Sequence, residues 1–367
     1  MMRHTLGLAV CLLVLGSACS DTGGPGVQPD IVDVIAAGDQ HTCALQRGVA
    51  TYCWGRNAGG EVGDSTVLPR LRPVRVHTAV SFDTILAGYG SACGLTAVGD
   101  AYCWGSNGGG KLGDSSFNDH STPVAVRGGL TFSQFNLAFD YSCAVTRSHV
   151  AYCWGDNNFG QLGDSTRNGS LSPRRVVGGL MFDNVRASNF HACGIATGGA
   201  AYCWGSNNNG ALGDGTLVDK LAPNPVAGGH TFLAVAAGAF HTCGIAIDGT
   251  TYCWGDNRYG ELGDGTTTQR LTPIGVGGVP PFVGIYAAGP STCGLTALGF
   301  AWCWGDYFSA TPRTIPQPAP FTSISAGFQH FCGVTTNHAA YCWGVNSYGE
   351  LGDGTTTFSV VPVRVVF

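Results

Sequence analysis

Apolar and polar positions alternate along this chain in short runs, and the runs are broken by turns rich in glycine and aspartate. The clearest stretch reads as a strand over residues 232–237, a second over His241-Thr242-Cys243-Gly244-Ile245 and a third over Thr251-Tyr252-Cys253-Trp254. A fourth strand is expected around residues 273–276, after a compact turn that begins at Gly255. Setting Cys243 opposite Cys253 leaves Ile247, Asp248 and Gly249 as a three-residue hairpin loop with glycine at the left-handed position. Glycine stands at the same place as Gly99, Gly199 and Gly299, whereas Val49, His149 and His338 depart from it.

The same unit recurs along the chain. The cysteines after Cys19 are Cys43 and Cys53, Cys93 and Cys103, Cys143 and Cys153, Cys193 and Cys203, Cys243 and Cys253, Cys293 and Cys303, and Cys332 and Cys342. These are seven pairs, each ten apart, with successive starts 50, 50, 50, 50, 50 and 39 residues on. The second cysteine of each pair sits in Cys-Trp-Gly, which accounts for seven of the eight tryptophans; Trp302 replaces a tyrosine in the sixth unit. A period near fifty with several short strands per unit marks a propeller blade or a solenoid turn; seven units of four short strands suit a closed ring, an all-β, seven-bladed β-propeller. With a strand expected at each end of the chain, both ends are expected to contribute to one closing blade.

Composition agrees with this architecture. The 58 glycines and 17 prolines, with only two lysines and three glutamates, exclude a mainly helical protein. A formal charge of -5 weighs against nucleic acid as a partner. Beyond the first twenty residues no run is apolar enough to span a bilayer. Residues 1–18 read as an export signal, with Arg3 and His4 ahead of an apolar stretch and small residues before Cys19. That junction resembles a bacterial lipobox, which implies a diacylglycerol anchor on Cys19. Gly16 stands where leucine is usual, and ordinary cleavage after Ala18 is the alternative. Residues 19–30 are then a lipidated cysteine and flexible tether, and residues 31–367 the propeller. The expected location is the cell envelope, with secretion as the alternative.

The repeat resembles that of the regulator of chromosome condensation family, a seven-bladed β-propeller. The residues that carry the resemblance run from Gly238 to His241 and through the Cys243 strand to Tyr252-Cys253-Trp254-Gly255, then Asn257, Gly260 and Leu262-Gly263. It extends over residues 31–367. The kelch repeat has a similar period and glycine pairs such as Gly128-Gly129, but orders its glycines, tyrosine and tryptophan differently.

Two cysteines facing each other across a hairpin in an exported chain are read as a disulfide in each blade, fourteen cysteines in all. Reduced core thiols and metal ligands are the alternatives, though no Cys-x-x-Cys is present. Cys11 leaves with the signal, so Cys19 alone lacks a partner. His41, His191, His241 and His330 stand two residues before a first cysteine, on a strand able to line the channel. They are read as hydrogen-bonded blade elements in preference to a metal ring. The recurring Asp64, Asp114, Asp164, Asp214, Asp264 and Asp353 are read as turn caps, not calcium ligands. No catalytic motif is found, and neither a cofactor nor a metal is expected.

Function is therefore sought where the copies differ. A two-residue loop before each His, Ser or Tyr position carries Tyr89, Phe139, Phe190, Phe240 or Phe328 in five units, a candidate aromatic rim for protein recognition, with filling of each blade's own interior as the competing role. Arg70, Arg72, Phe117, His120, Arg167, Lys220 and Arg270 lie in the longer loops and are read as a solvated fringe around the ring. The sixth unit lacks the longer loop, which predicts a notch. The leading expectation is a monomeric, non-enzymatic, extracytoplasmic propeller that binds an unknown protein, as an inhibitor or adhesion module. The resemblance supports it, because the family includes a secreted bacterial β-lactamase inhibitory protein that uses one propeller face. Guanine-nucleotide exchange on a small GTPase, which the family's eukaryotic member promotes, and a hydrolase or lyase site on one face are the alternatives.

Overall fold

Each unit folds as a four-stranded antiparallel meander whose strands hydrogen-bond in chain order, and seven such sheets form the blades of a β-propeller. The structure, a computed structural model, describes residues 31–367; the expected export signal, lipidated Cys19 and tether lie outside the described residues. In the fifth blade the strands are Phe232–Ala237, His241–Ala246, Thr251–Gly255 and Arg270–Gly275. The outer strand starts earlier than expected because Arg270 pairs with Gly255 across a register shift.

Cys243 pairs with Cys253 in the hairpin register, and the loop glycine takes φ 83° at Gly249. His149 and His338 hold the same left-handed conformation without glycine, while the first blade moves its glycine to Gly48. Every cysteine pair is a disulfide, Cys43–Cys53, Cys93–Cys103, Cys143–Cys153, Cys193–Cys203, Cys243–Cys253, Cys293–Cys303 and Cys332–Cys342. Each bridge ties the second strand to the third within one blade. All fourteen cysteines are fully buried.

The core lies between blades. Each cluster joins one blade's disulfide to the next blade's tryptophan, as Cys243, Cys253 and Leu262 pack with Phe282, Ile285 and Trp304. A hydrogen bond fixes the angle between neighbours: Trp304 Nε1 donates to the Glu261 carbonyl at 2.7 Å, and Trp154 Nε1 to the Lys111 carbonyl at 2.9 Å. Both groups are buried, so leaving either unpaired is costly. Within each of blades two to seven a first-strand phenylalanine meets the tryptophan, with ring centroids 5.9 Å apart for Phe232 and Trp254.

Ring closure differs from the expectation. No blade is shared between the chain ends, because Val34–Ala37 belongs to the first sheet and Ser359–Arg364 to the seventh. The seventh blade supplies all four of its own strands from one continuous segment, leaving nothing for the amino-terminal strand to complete. Closure instead repeats the interblade device, with Trp54 Nε1 donating to the Glu350 carbonyl at 2.8 Å. In the first blade Val32 occupies the place of the phenylalanine, and the C-terminal Phe367 comes in against Tyr52 and Trp54, its centroid 5.4 and 6.2 Å from theirs.

Candidate functional site at the channel mouth

The first strands line a central channel and end at its mouth in the loops that carry the variable aromatics. Backbone bonds tie these loops to one another: Asp39 N donates to Gly88 O at 3.0 Å, Phe328 N to Gly38 O at 3.1 Å and Ala239 N to Gly289 O at 2.9 Å. The aromatics meet across blade boundaries. Tyr89 and Phe139 lie 4.1 Å apart by centroid, Phe139 and Phe190 6.0 Å, and Phe190 and Phe240 6.0 Å. Tyr89 also reaches past the first blade to Phe328 at 6.4 Å. All five candidate residues thus form one arc, from Phe328 through Tyr89, Phe139 and Phe190 to Phe240. The sixth blade has Gly289-Pro290 at this level, and there the arc is interrupted.

Phe240 stays 36% exposed and the other four are half-buried, mainly against each other. Phe159, from the longer loop of the third blade, extends the arc against Phe190 at 5.4 Å. Contacts of this kind hold the rings in place before any partner arrives.

Lys111 underlies the arc, and sequence reasoning passed over it. At the position before Leu-Gly, Glu61, Gln161, Glu261 and Glu350 accept the backbone N–H two residues earlier, as Glu261 Oε2 accepts from Tyr259 N at 2.9 Å. A lysine ammonium has no acceptor. Lys111 instead donates from its buried Nζ to the carbonyls of Tyr89 and Phe139, both at 2.6 Å, with Asp140 Oδ1 3.5 Å away. It thereby clamps the two loops whose rings make the closest contact in the arc. Burial lowers the Lys111 pKa, and Asp140 partly offsets this. The available signal was a departure from the glutamate or glutamine of the repeat by one of only two lysines.

Beside this clamp, burial pushes Asp39 up to about 6, against the opposing pull of Arg56 and Lys111. Glu61 is also raised by burial, although its own turn's N–H groups and Arg56, 3.0 Å away, act in the other direction. The mouth is thus charged beneath its aromatic surface.

The histidines are not in the channel wall. They are buried between blades, where His191 Nε2 meets Thr242 Oγ1 at 2.9 Å, His241 Nε2 meets Thr292 Oγ1 at 2.8 Å and His330 Nε2 meets Thr42 Oγ1 at 2.8 Å. His41 of the first blade faces Ala92 of the second, which lacks this hydroxyl. Burial drives His41, His191 and His330 down to about 3 and His241 to about 4. Neutral imidazoles are therefore part of the blade interface.

The recurring aspartates cap turns, as expected: Asp264 Oδ1 accepts from Thr266 N at 2.9 Å and from Thr266 Oγ1 at 2.7 Å. The basic fringe is not free. Arg70 pairs with Asp64 at 2.5 Å, His120 with Asp114 at 2.9 Å, Lys220 with Asp214 at 3.2 Å, Arg270 with Asp264 at 2.8 Å and Arg167 with Asp219 at 3.4 Å. Arg70, His120, Lys220 and Arg270 brace the loops of their own blades from the position six residues beyond the aspartate, whereas Arg167 reaches Asp219 of the next blade. Phe117 stands apart, 67% exposed.

At the sixth blade the missing loop reduces the outer strand to Arg313–Thr314. No carbonyl there reaches Trp343, whose buried Nε1 has no hydrogen-bond partner among the described residues. Phe331 replaces the hydroxyl residue next to His330 and stacks on Trp343 at 5.8 Å, and Phe308 packs against Phe331 at 6.1 Å. Phe358 and Val360 of the seventh blade are left exposed beside the gap.

Among the described residues no group of three or more His, Cys, Asp or Glu side chains is arranged to hold a metal ion, and no helix is long and apolar enough to cross a membrane. Seven blades around a lined channel, with variable loops at one mouth and a bridge inside each blade, define a seven-bladed β-propeller. The chain belongs to the RCC1-like domain family, whose model matches residues 15–367. The structure of human WBSCR16 is similar, with 22% identity, 86% of this chain and 93% of that chain covered, and a TM-score of 0.78. Prp20p of Saccharomyces cerevisiae, described with its binding properties to Gsp1p and histones, is similar at 19% identity, 92% and 88% coverage and a TM-score of 0.77. The CRINKLY WD40 ectodomain of the Arabidopsis thaliana receptor kinase ACR4 matches at 20% identity, 91% and 99% coverage and a TM-score of 0.56. No curated protein sequence matches the chain.

Proposed function

We propose that this protein is an extracytoplasmic recognition propeller, without catalytic activity of its own, that docks a partner protein on the channel-mouth face. The observation that carries this reading is the continuous arc of Phe328, Tyr89, Phe139, Phe190 and Phe240, with adjacent ring centroids 4.1 to 6.4 Å apart. Preformed aromatic surface with buried polar support is what a protein interface requires at its centre. An inhibitor or adhesion module is the specific form proposed, acting as a monomer on a secreted or surface protein.

Seven disulfides fit an oxidising, extracytoplasmic compartment. With them goes the proposal that residues 1–18 are removed on export, that Cys19 carries lipid and that residues 19–30 tether the propeller of residues 31–367 to the cell envelope. Similarity to Prp20p gives a second reading, nucleotide exchange on a GTPase, but an intracellular GTPase and an exported, oxidised propeller occupy different compartments.

The test is capture of a partner from the producing cell's envelope and secreted fractions by the purified protein, compared with a variant carrying Phe139→Ala, Phe190→Ala and Phe240→Ala. Loss of capture by a variant that melts like wild type supports the reading. Undiminished capture by that variant removes the arc from the interface.

A further inference from the structure

The channel and its open mouth, with Tyr89, Phe139 and Phe328 at the rim, together hold about 310 Å³, within the lower range of small-molecule sites. One level of its wall is set by the register in which each first strand faces the first cysteine of its blade. Ala36, Leu86, Asn136, Ala236, Tyr286 and Ser325 stand at this level in six blades. In the fourth blade the position is Arg186. The blade does not require an arginine there, since alanine serves in two of the others.

Arg186 lines the channel and is exposed to its solvent. Among the described residues it makes no ion pair, and its electrostatic neighbour is the Tyr286 phenol. Surrounding protein lowers its pKa from the ordinary arginine range, and the phenol opposes the change.

Two other polar groups of this level, Asn136 and Ser325, have a donor left over. Asn136 Oδ1 is occupied by the Ala187 N–H at 2.7 Å, which leaves the amide NH2 to offer. Ser325 Oγ accepts the Ala37 N–H at 2.9 Å, which leaves its hydroxyl proton. A guanidinium carries donors only. Arginine, amide and hydroxyl thus present hydrogen atoms, while the short side chains of Ala36 and Ala236 leave room. Such a level is complementary to an oxyanion, and the planar guanidinium matches the two oxygens of a carboxylate or phosphate.

We propose that the channel at the level of Arg186 binds a small oxyanion, a carboxylate or phosphate compound that fits this volume, with Arg186 as its anchor and Asn136 and Ser325 as further donors. This site is independent of the protein-binding reading, because it lies below the mouth and uses none of the five aromatics.

The probes are succinate and inorganic phosphate, titrated separately at low ionic strength into the purified protein and followed by calorimetry and by the melting temperature. At least one of them is expected to bind saturably and raise the melting temperature of the wild type. Arg186→Gln should weaken that binding by about tenfold or more, and Arg186→Lys by less. Asn136→Asp keeps an acceptor for the Ala187 N–H but places a carboxylate beside Arg186; it should also weaken binding by about tenfold or more. Arg175→Gln, on an outer strand, should leave binding unchanged. Absence of binding by either anion to the wild type overturns the proposal. So does equal binding by wild type and Arg186→Gln or, if that variant does not fold, by wild type and Asn136→Asp.

Discussion

His191 and Thr242 belong to neighbouring blades, and the imidazole Nε2 of the first lies 2.9 Å from the hydroxyl of the second. Ser188 Oγ holds the other ring nitrogen at 2.9 Å, and Thr242 Oγ1 donates onward to the Ala211 carbonyl at 2.9 Å. One histidine therefore links a channel-mouth loop to the next blade.

The linkage has a defined pH dependence. Burial lowers the His191 pKa from 6.5 to about 3, so between these values the unfolded chain binds the proton and the folded chain does not. The contribution to stability is full above pH 6.5 and is lost as pH falls towards 3, at up to about 1.4 kcal/mol per pH unit. Melting of wild type and His191→Gln between pH 7.5 and 4.5 should show the wild-type advantage shrinking with acidification. A constant difference would mean that His191 is not held neutral.

Closure by Phe367 makes a second prediction. The ring end meets Tyr52 and Trp54 where the first blade has only Val32, so Phe367→Ala should cost about 2 kcal/mol and lower the melting temperature. Deleting residues 361–367 should cost more, since four of the six residues of the last strand go too. If Phe367→Ala melts with the wild type, the closing contact is unimportant.

Trp343 and Trp304 form a matched pair. Trp304 donates to a buried carbonyl and Trp343 has none, so replacing each by phenylalanine removes a hydrogen bond in one case only. Trp304→Phe should be the more destabilising by about 1 to 2 kcal/mol, measured by urea unfolding. Equal costs would show that Trp343 has a partner in solution.

The blade was legible in the sequence because its requirements repeat. The Cys243 and Cys253 spacing contains the hairpin register, and Cys-Trp-Gly marks the third strand in every unit. Closure was misread because both chain ends look like strands, and alternation does not say which sheet a terminal strand joins. The five aromatics were legible as variable loop residues, but their mutual contact depends on the width of the ring. Lys111 and Arg186 were missed for a common reason. Each replaces a residue at one position of one copy, and only the assembled channel shows what the replacement faces. Most basic residues of the outer loops looked solvated because their aspartate partners lie six positions earlier in the same turn, and Arg167 because its partner Asp219 comes from the next blade.

The shortened sixth unit has a consequence for recognition. Seven equal blades would make a wheel that a ligand could meet in any of seven angular settings with similar energy. The gap beside Phe308, Phe331 and Trp343, together with the Gly289-Pro290 break in the mouth, gives the wheel a single reference mark. A partner that touches both the face and the edge at that mark has one azimuth available, so orientation is selected by an omission from the repeat.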